Sequence, residues 1–203
     1  MNYLELLKGG SSLAFMSVAT TGINKSDKVI AVFVGKESGP VMGLACEGVT
    51  GEELEKTYKY HRISRYMYDN LIQVSPQVLH NSICNFCTQD LMISYNPKFV
   101  QDMLKNMTGQ PDTPHIVDIC KVCQWAQSGQ IFNNIDDANL GKLLLEMSNW
   151  KSPNRSGIKH TIELMIPEYV EDLSRPAPES MVEALRCLCK SLERIPVRIS
   201  QGL

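Results

Sequence analysis

Leu13-Ala14-Phe15-Met16-Ser17-Val18-Ala19-Thr20-Thr21-Gly22 is the stretch that decides the fold. An apolar run over residues 13–19 ends abruptly in two threonines and a glycine. Two further runs follow, over 28–35 and 41–46, with Gly, Ser and Pro between them. Short apolar runs bounded by turn residues read as strands, and three in succession read as an antiparallel meander.

A polar, tyrosine-rich segment occupies 51–70. Residues 76–87 then read as a helix, with Val78, Leu79, Ile83 and Phe86 near helical spacing. Residues 91–94 form a short buried strand. Pro97 suits the first turn of another helix, whose Phe99, Met103, Leu104 and Met107 share a face. Residues 116–117 read as a brief strand that runs into a helix through 126. Residues 140–147 and 160–165 are further helical pieces. The last helix spans 179–193, with Met181, Leu185, Leu188 and Leu192 in one stripe. No repeat, low-complexity tract or linker interrupts this order, so residues 1–203 read as a single domain. Meander strands followed by alternating strands and helices specify an α/β domain with a mixed sheet.

The composition is that of a soluble globular chain: 203 residues, 43% hydrophobic and 21% charged. A net charge of −2 supplies no global attraction to nucleic acid or anionic membrane, so either must use a local patch. No run reaches transmembrane length, and Met1-Asn2-Tyr3-Leu4-Glu5 is no signal peptide. Seven cysteines, an odd number, then point to reduced thiols in a cytoplasm.

Met16-Ser-Val-Ala-Thr-Thr-Gly22 resembles the first motif of the DEDD exonucleases, the superfamily of the proofreading epsilon subunit of DNA polymerase III. That motif is an apolar strand, then D-x-E-T-T-G, then a second strand. Thr20, Thr21 and Gly22 match it. Ser17 stands at the aspartate and Ala19 at the glutamate. Tyr60-His-Arg-Ile63 lies where the family often has a histidine-containing turn. Met92-Ile-Ser-Tyr-Asn-Pro-Lys-Phe-Val100 is similar to the second motif, a strand followed by H-N-A-x-F-D. Asn96 and Phe99 match, Tyr95 replaces the histidine, and Val100 replaces the aspartate. His115-Ile-Val-Asp118 looks like the fifth strand, and Lys159-His-Thr-Ile-Glu-Leu164 like the helix before the third motif. Laid on H-x-A-L-x-D-A, Pro178 takes the histidine position and Glu183 that of the last aspartate. The likeness spans roughly residues 13–193.

The resemblance implies a ribonuclease H-like fold, a five-stranded mixed sheet flanked by helices. It also implies a groove in which carboxylates hold two magnesium or manganese ions for phosphodiester hydrolysis. Ser17 offers a neutral oxygen there, and Ala19 and Val100 offer no ligand. Pro178 has no titratable group with which to act as base. The implied protein is a pseudo-exonuclease that binds single-stranded nucleic acid or a protein partner, with no cofactor and no membrane association. An active 3′-to-5′ exonuclease with a rebuilt site is the alternative, and it requires magnesium or manganese.

The basic, aromatic stretch 56–68 contains Lys56, Lys59, Arg62 and Arg65 for phosphates and Tyr58, Tyr60, Tyr66 and Tyr68 for stacking. Glu52, Glu53 and Glu55 adjoin it, as on an ordinary surface helix. The resemblance places it beside the substrate groove, with Thr20, Thr21 and Asn96 as further nucleic-acid contacts. Cys84-Asn-Phe-Cys87 and Cys120-Lys-Val-Cys123 have the spacing of structural zinc. Facing one another, they would close a tetrahedral site and make a zinc-stabilised interaction module. Both fall on predicted helices, where cysteines three apart can equally be small buried hydrophobes.

Overall fold

A computed structural model describes residues 1–9, 11–24, 27–109, 115–132, 147, 150 and 157–199, without the side chains of 87–89. Of the helical piece expected over 140–147, only Met147 lies within them, and it is buried.

A short helix α1 (Tyr3–Lys8) opens the chain, held by a capping box between Asn2 and Glu5. The expected meander follows as β1 (Ser12–Thr20), β2 (Val29–Lys36) and β3 (Met42–Cys46), each antiparallel to the next. The tyrosine-rich segment is helical: α2 (Gly51–His61) and α3 (Arg65–Asn70), with Ser64 as the α3 N-cap. Next come β4 (Ile72–Val74), α4 (Pro76–Gln89), β5 (Asp90–Ser94) and α5 (Pro97–Thr108). Pro76 and Pro97 sit in the first turns of their helices, behind the side-chain caps Ser75 and Asn96. The chain continues through β6 (Ile116–Asp118), α6 (Ile119–Ser128) and β7 (Ile131–Phe132). After α7 (Ile158–Met165) and α8 (Ala177–Ser191), a 3₁₀ turn (Leu192–Arg194) leads to β8 (Arg198–Ile199).

The main sheet runs β4-β3-β2-β1-β5-β6, with β5 and β6 parallel to β1. It has six strands where five were expected. The extra strand, β4, pairs parallel to β3 at the outer edge. It is three residues long with Ile72 and Gln73 exposed, so no apolar alternation announces it. A second small sheet pairs β7 with β8.

The sheet separates two cores. On one face Leu13, Phe15, Ile93 and Val117 pack with Leu185 and Leu188 of α8 and with α1 and α6. On the other, Met16, Val32 and Met92 pack with Leu79 and Ile83 of α4 and Met103 and Leu104 of α5. Burial on both faces is why β1 and β2 read as unbroken apolar runs.

Helix α8 crosses β2 at Gly35. The Arg186 guanidinium lies against that glycine, its Nε donating to the Lys36 carbonyl at 2.7 Å and its Nη1 to Glu183 Oε1 at 2.8 Å. A Cβ at position 35 would stand 2.5 Å from Arg186 Nη2 and 3.1 Å from Val182 Cγ1. Gly35→Ala therefore pushes the guanidinium aside and destabilises the fold by about 0.5–1.5 kcal/mol through the loss of its bonds to Lys36 and Glu183. Urea unfolding checks this as a lowered midpoint at unchanged slope.

Candidate functional site

Because β1, β5 and β6 run parallel, their carboxyl ends share one edge of the sheet. A groove of about 250 Å³ opens there. In open α/β sheets that edge is the usual ligand site. Its floor is Ser17, Val18, Ala19 and Thr20 of β1, with Ile23 from the turn beyond. One wall is Tyr60 and His61 at the end of α2, and the other is Ala177, Pro178 and Met181 at the start of α8. Tyr95 and Phe99, flanking the start of α5, complete it. The β1–β2 register steps between Ala19 and Thr20, so that Ala19 faces Ala31 and Thr20 faces Val29. The residue left over by this step is Ile30 of β2, and the irregularity marks the end of the regular β1–β2 pairing.

The two threonines hold the turn that follows. Thr20 Oγ1 donates to the Gly22 carbonyl at 2.6 Å, and Thr21 Oγ1 accepts from the Lys28 N–H at 2.9 Å. Their hydroxyls thus serve the turn, although Thr20 also lines the groove. Asn96 is likewise structural, because its Oδ1 accepts from the Phe99 N–H at 3.3 Å and caps α5.

Among the expected catalytic positions, the fold brings Ser17, Ala19 and Pro178 together in the groove. Val100 and Glu183 lie elsewhere. Val100 is buried against the opposite core, and Phe99, one residue earlier, faces the groove instead. Glu183 lies roughly 140° around the helix from Pro178. It pairs with Arg186 and lines a separate cavity of about 440 Å³ together with Lys8 and Glu37. Among the described residues no carboxylate lines the groove, and no cluster of three or more His, Cys, Asp or Glu is placed to hold a metal.

The basic stretch is largely committed to neighbours. Arg62 pairs with Glu171 at 2.6 Å and Arg65 with Asp69 at 2.8 Å. Lys59 stands over the Tyr60 ring, 4.8 Å from its centroid. Tyr68 is buried and its hydroxyl donates to the Cys46 carbonyl. Tyr58 and Tyr66 are exposed, and Tyr58 meets the His61 ring edge-on. Of this stretch, Tyr60 and His61 reach the groove, and Tyr60 is 70% exposed.

The two C-x-x-C pairs do not converge. Cys84 and Cys87 sit on α4, on the sheet face that carries Leu79 and Ile83. Cys120 and Cys123 are buried on α6, on the other face. The sheet stands between them, so the expected four-cysteine site does not form. Burial pushes the Cys120 thiol up to about 12 and holds the Cys123 thiol well above its ordinary value, away from the thiolate form that binds metal.

His61, Tyr95 and Met181 are groove residues that the sequence did not single out as contacts. His61 is 3% exposed. Its Nδ1 accepts from the Ile63 N–H at 2.9 Å, and its Nε2 lies 2.8 Å from Thr57 Oγ1. Thr57 donates its own proton to the Glu53 carbonyl at 2.7 Å. Its oxygen therefore accepts from His61, which makes the ring the neutral Nε2–H form. Burial pushes the imidazole down to about 4. Burial also raises the Tyr95 phenol, which keeps it protonated. Asp118, the acid that ends β6, accepts from the Cys120 N–H at 3.0 Å as the N-cap of α6.

No family profile and no curated protein matches the chain. Solved structures of exonuclease I do. One aligns over 91% of this chain and 41% of its own, with TM-score 0.57 and 12% identity. The fold is ribonuclease H-like. E. coli exonuclease I in complex with a dA16 oligonucleotide aligns over 91% of this chain and 41% of its own, with TM-score 0.55 and 13% identity. The complex with a dT13 oligonucleotide aligns over 91% and 42%, again with TM-score 0.55 and 13% identity. The chain thus spans about 41% of the length of an exonuclease I chain. Among the described residues no helix is long and apolar enough to cross a membrane.

Proposed function

We propose that this ribonuclease H-like domain holds single-stranded nucleic acid in the groove at the end of β1 and does not hydrolyse it. The carrying observation is the lining itself: Ser17, Ala19, Tyr60, Tyr95, Phe99 and Pro178, with no carboxylate among the described residues. Two-metal hydrolysis needs acids converging on one phosphate. The described lining supplies none, and it carries no negative charge to repel a phosphate. A strand can therefore enter without the divalent ions that an acidic groove requires to offset its charge. The aromatic side chains supply stacking surface, which is tolerant of sequence. The exonuclease I structures that share this fold were solved with dA16 and dT13 strands, which supports the same ligand class here.

Affinity for labelled single-stranded DNA or RNA is then the same in EDTA as in magnesium. Tyr60→Ala weakens it by roughly 1–3 kcal/mol, the usual worth of one stacked base. With Arg62 and Arg65 held by acids, few phosphates are neutralised and the salt dependence is shallow. A filter-retention titration in both buffers tests this, and a strand retained only with a divalent ion contradicts it. A protein partner in the same groove is the second reading. It is favoured by the apolar side chain Ile23, which lines the groove and is 85% exposed. Failure of every strand to bind would favour that reading.

A further inference from the structure

We infer that Arg62 is a positioning residue that fixes the separation of the two groove walls, an inference that stands on reading the groove as the binding site. Tyr60 and His61, which form one wall, immediately precede Arg62. The opposite wall begins at Ala177 and Pro178, just after Arg175. Arg62 bridges the two. Its Nη2 donates to Glu171 Oε1 at 2.6 Å and its Nε to the Arg175 carbonyl at 3.1 Å. A guanidinium anchored at two points fixes direction as well as distance.

The backbone reveals the same constraint. Arg62 has φ 51°, the one positive φ outside glycine among the described residues. A side chain in that region is strained, and such strain concentrates where function over-determines the conformation. The strained turn is locked from both sides. The Arg62 N–H donates to the Tyr58 carbonyl at 2.7 Å, and the next N–H, that of Ile63, donates to His61 Nδ1 at 2.9 Å.

The segment that Arg62 grips is bonded to the start of α8. Tyr169 Oη donates to the Ser180 carbonyl at 2.9 Å, and Ser180 Oγ donates to the Asp172 carbonyl at 2.9 Å. Arg175 pairs with Asp172 at 3.0 Å and with Glu179 at 3.5 Å. Residues 167–176 and the first turns of α8 are therefore bonded together, and Arg62 adds a polar tie to α2, which also packs against α8. Arg62, expected from the sequence to meet phosphate, is instead the residue that holds the walls at the width a ligand meets.

The test uses Arg62→Gly, Glu171→Gln and the double variant. Glycine adopts the positive φ without strain, so Arg62→Gly removes the tie without burdening the turn. Two readouts are taken on the full chain: the dissociation constant for a 3′-labelled oligo-dT strand at 20 °C, and hydrogen exchange of the Tyr169 and Arg175 amides. Each single variant binds about five-fold more weakly, the double binds no more weakly than Arg62→Gly, and exchange at both amides quickens while Tm holds. A merely stabilising role would lower Tm and leave the affinity of the folded protein unchanged. Wild-type affinity in the variants, or unaltered exchange at both amides, overturns the inference. If the wild-type protein itself retains no strand, the groove reading fails, and the exchange measurement alone decides whether Arg62 sets the wall.

Discussion

Incubated with 3′-labelled single-stranded DNA or RNA, first in magnesium and then in manganese, the protein leaves the strand at full length. Hydrolysis through two metals needs hard anionic oxygens that fix both ions beside one phosphate. In the groove, Ser17 offers one neutral oxygen, Ala19 offers a methyl group and Pro178 a ring without a proton to exchange. Val100 is apolar and packed in a core, and Glu183 is paired with Arg186 at a separate cavity. His61 lines the groove as a neutral ring whose two nitrogens are both engaged, so it is no free base. What is forfeited is the whole enzymatic acceleration, at least about 10⁶-fold. A Tyr60→Ala, Met181→Ala variant, stripped of two groove side chains, serves as the control for a contaminating nuclease. Cleavage that this variant retains in full and that separates from the protein on further purification belongs to a contaminant. Metal-dependent cleavage that it loses belongs to this protein and contradicts the account.

Acidification separates the wild-type protein from His61→Leu. The folded imidazole titrates at about 4, below its ordinary 6.5. The unfolded chain therefore takes up the proton first. Above pH 6.5 His61 contributes no pH dependence, and as the pH falls from 6.5 to about 4 it costs stability. At one pKa unit per 1.36 kcal/mol, the loss approaches roughly 3 kcal/mol. The geometry agrees, since a second ring proton would point at the Ile63 N–H that Nδ1 now accepts. Asp118 works in the opposite sense, because burial raises its carboxyl from 3.8 to about 6. Its neutral form favours the fold at low pH, and that contribution fades as the pH rises through 6. The difference between wild type and His61→Leu cancels Asp118 and isolates the histidine. At pH 7.5 the leucine variant is less stable by about 1–3 kcal/mol, because Thr57 and the Ile63 N–H lose their partner. By pH 4 that gap closes or reverses. Parallel stability curves for the two proteins from pH 7.5 to 4 would show that the buried ring titrates normally.

The meander was legible because β1 and β2 are buried on both faces, which prints unbroken apolar runs between turn residues. The position of the groove was legible for a related reason: Thr20, Thr21 and Gly22 mark where β1 stops, and the parallel neighbour β5 ends before it, leaving the last residues of β1 to line the groove. The two misplaced positions show how helical phase outranks a motif overlay. Met181, Leu185, Leu188 and Leu192 mark the inner stripe of α8 and the turn after it. Position 183, two residues from both 181 and 185, falls on the far side of that stripe. Val100 is three and four residues from Met103 and Leu104, which puts it on the core side of α5. Both phases were present in the sequence. The break between α2 and α3 had a signal too, the N-cap Ser64. Two features had none. Which face of the sheet receives α4 and which receives α6 depends on the crossovers, so the cysteine pairs could not be separated in advance. The tie from Arg62 to Glu171 joins residues far apart in the chain, beyond the reach of any local pattern.

The most direct measurement is retention of a 3′-labelled single strand by the purified protein in EDTA, with the retained strand then sized. The account predicts retention that magnesium does not strengthen, with every recovered strand at full length and retention weakened by Tyr60→Ala. Shortened strands in magnesium that the groove variant abolishes, or no retention under any condition, would contradict it.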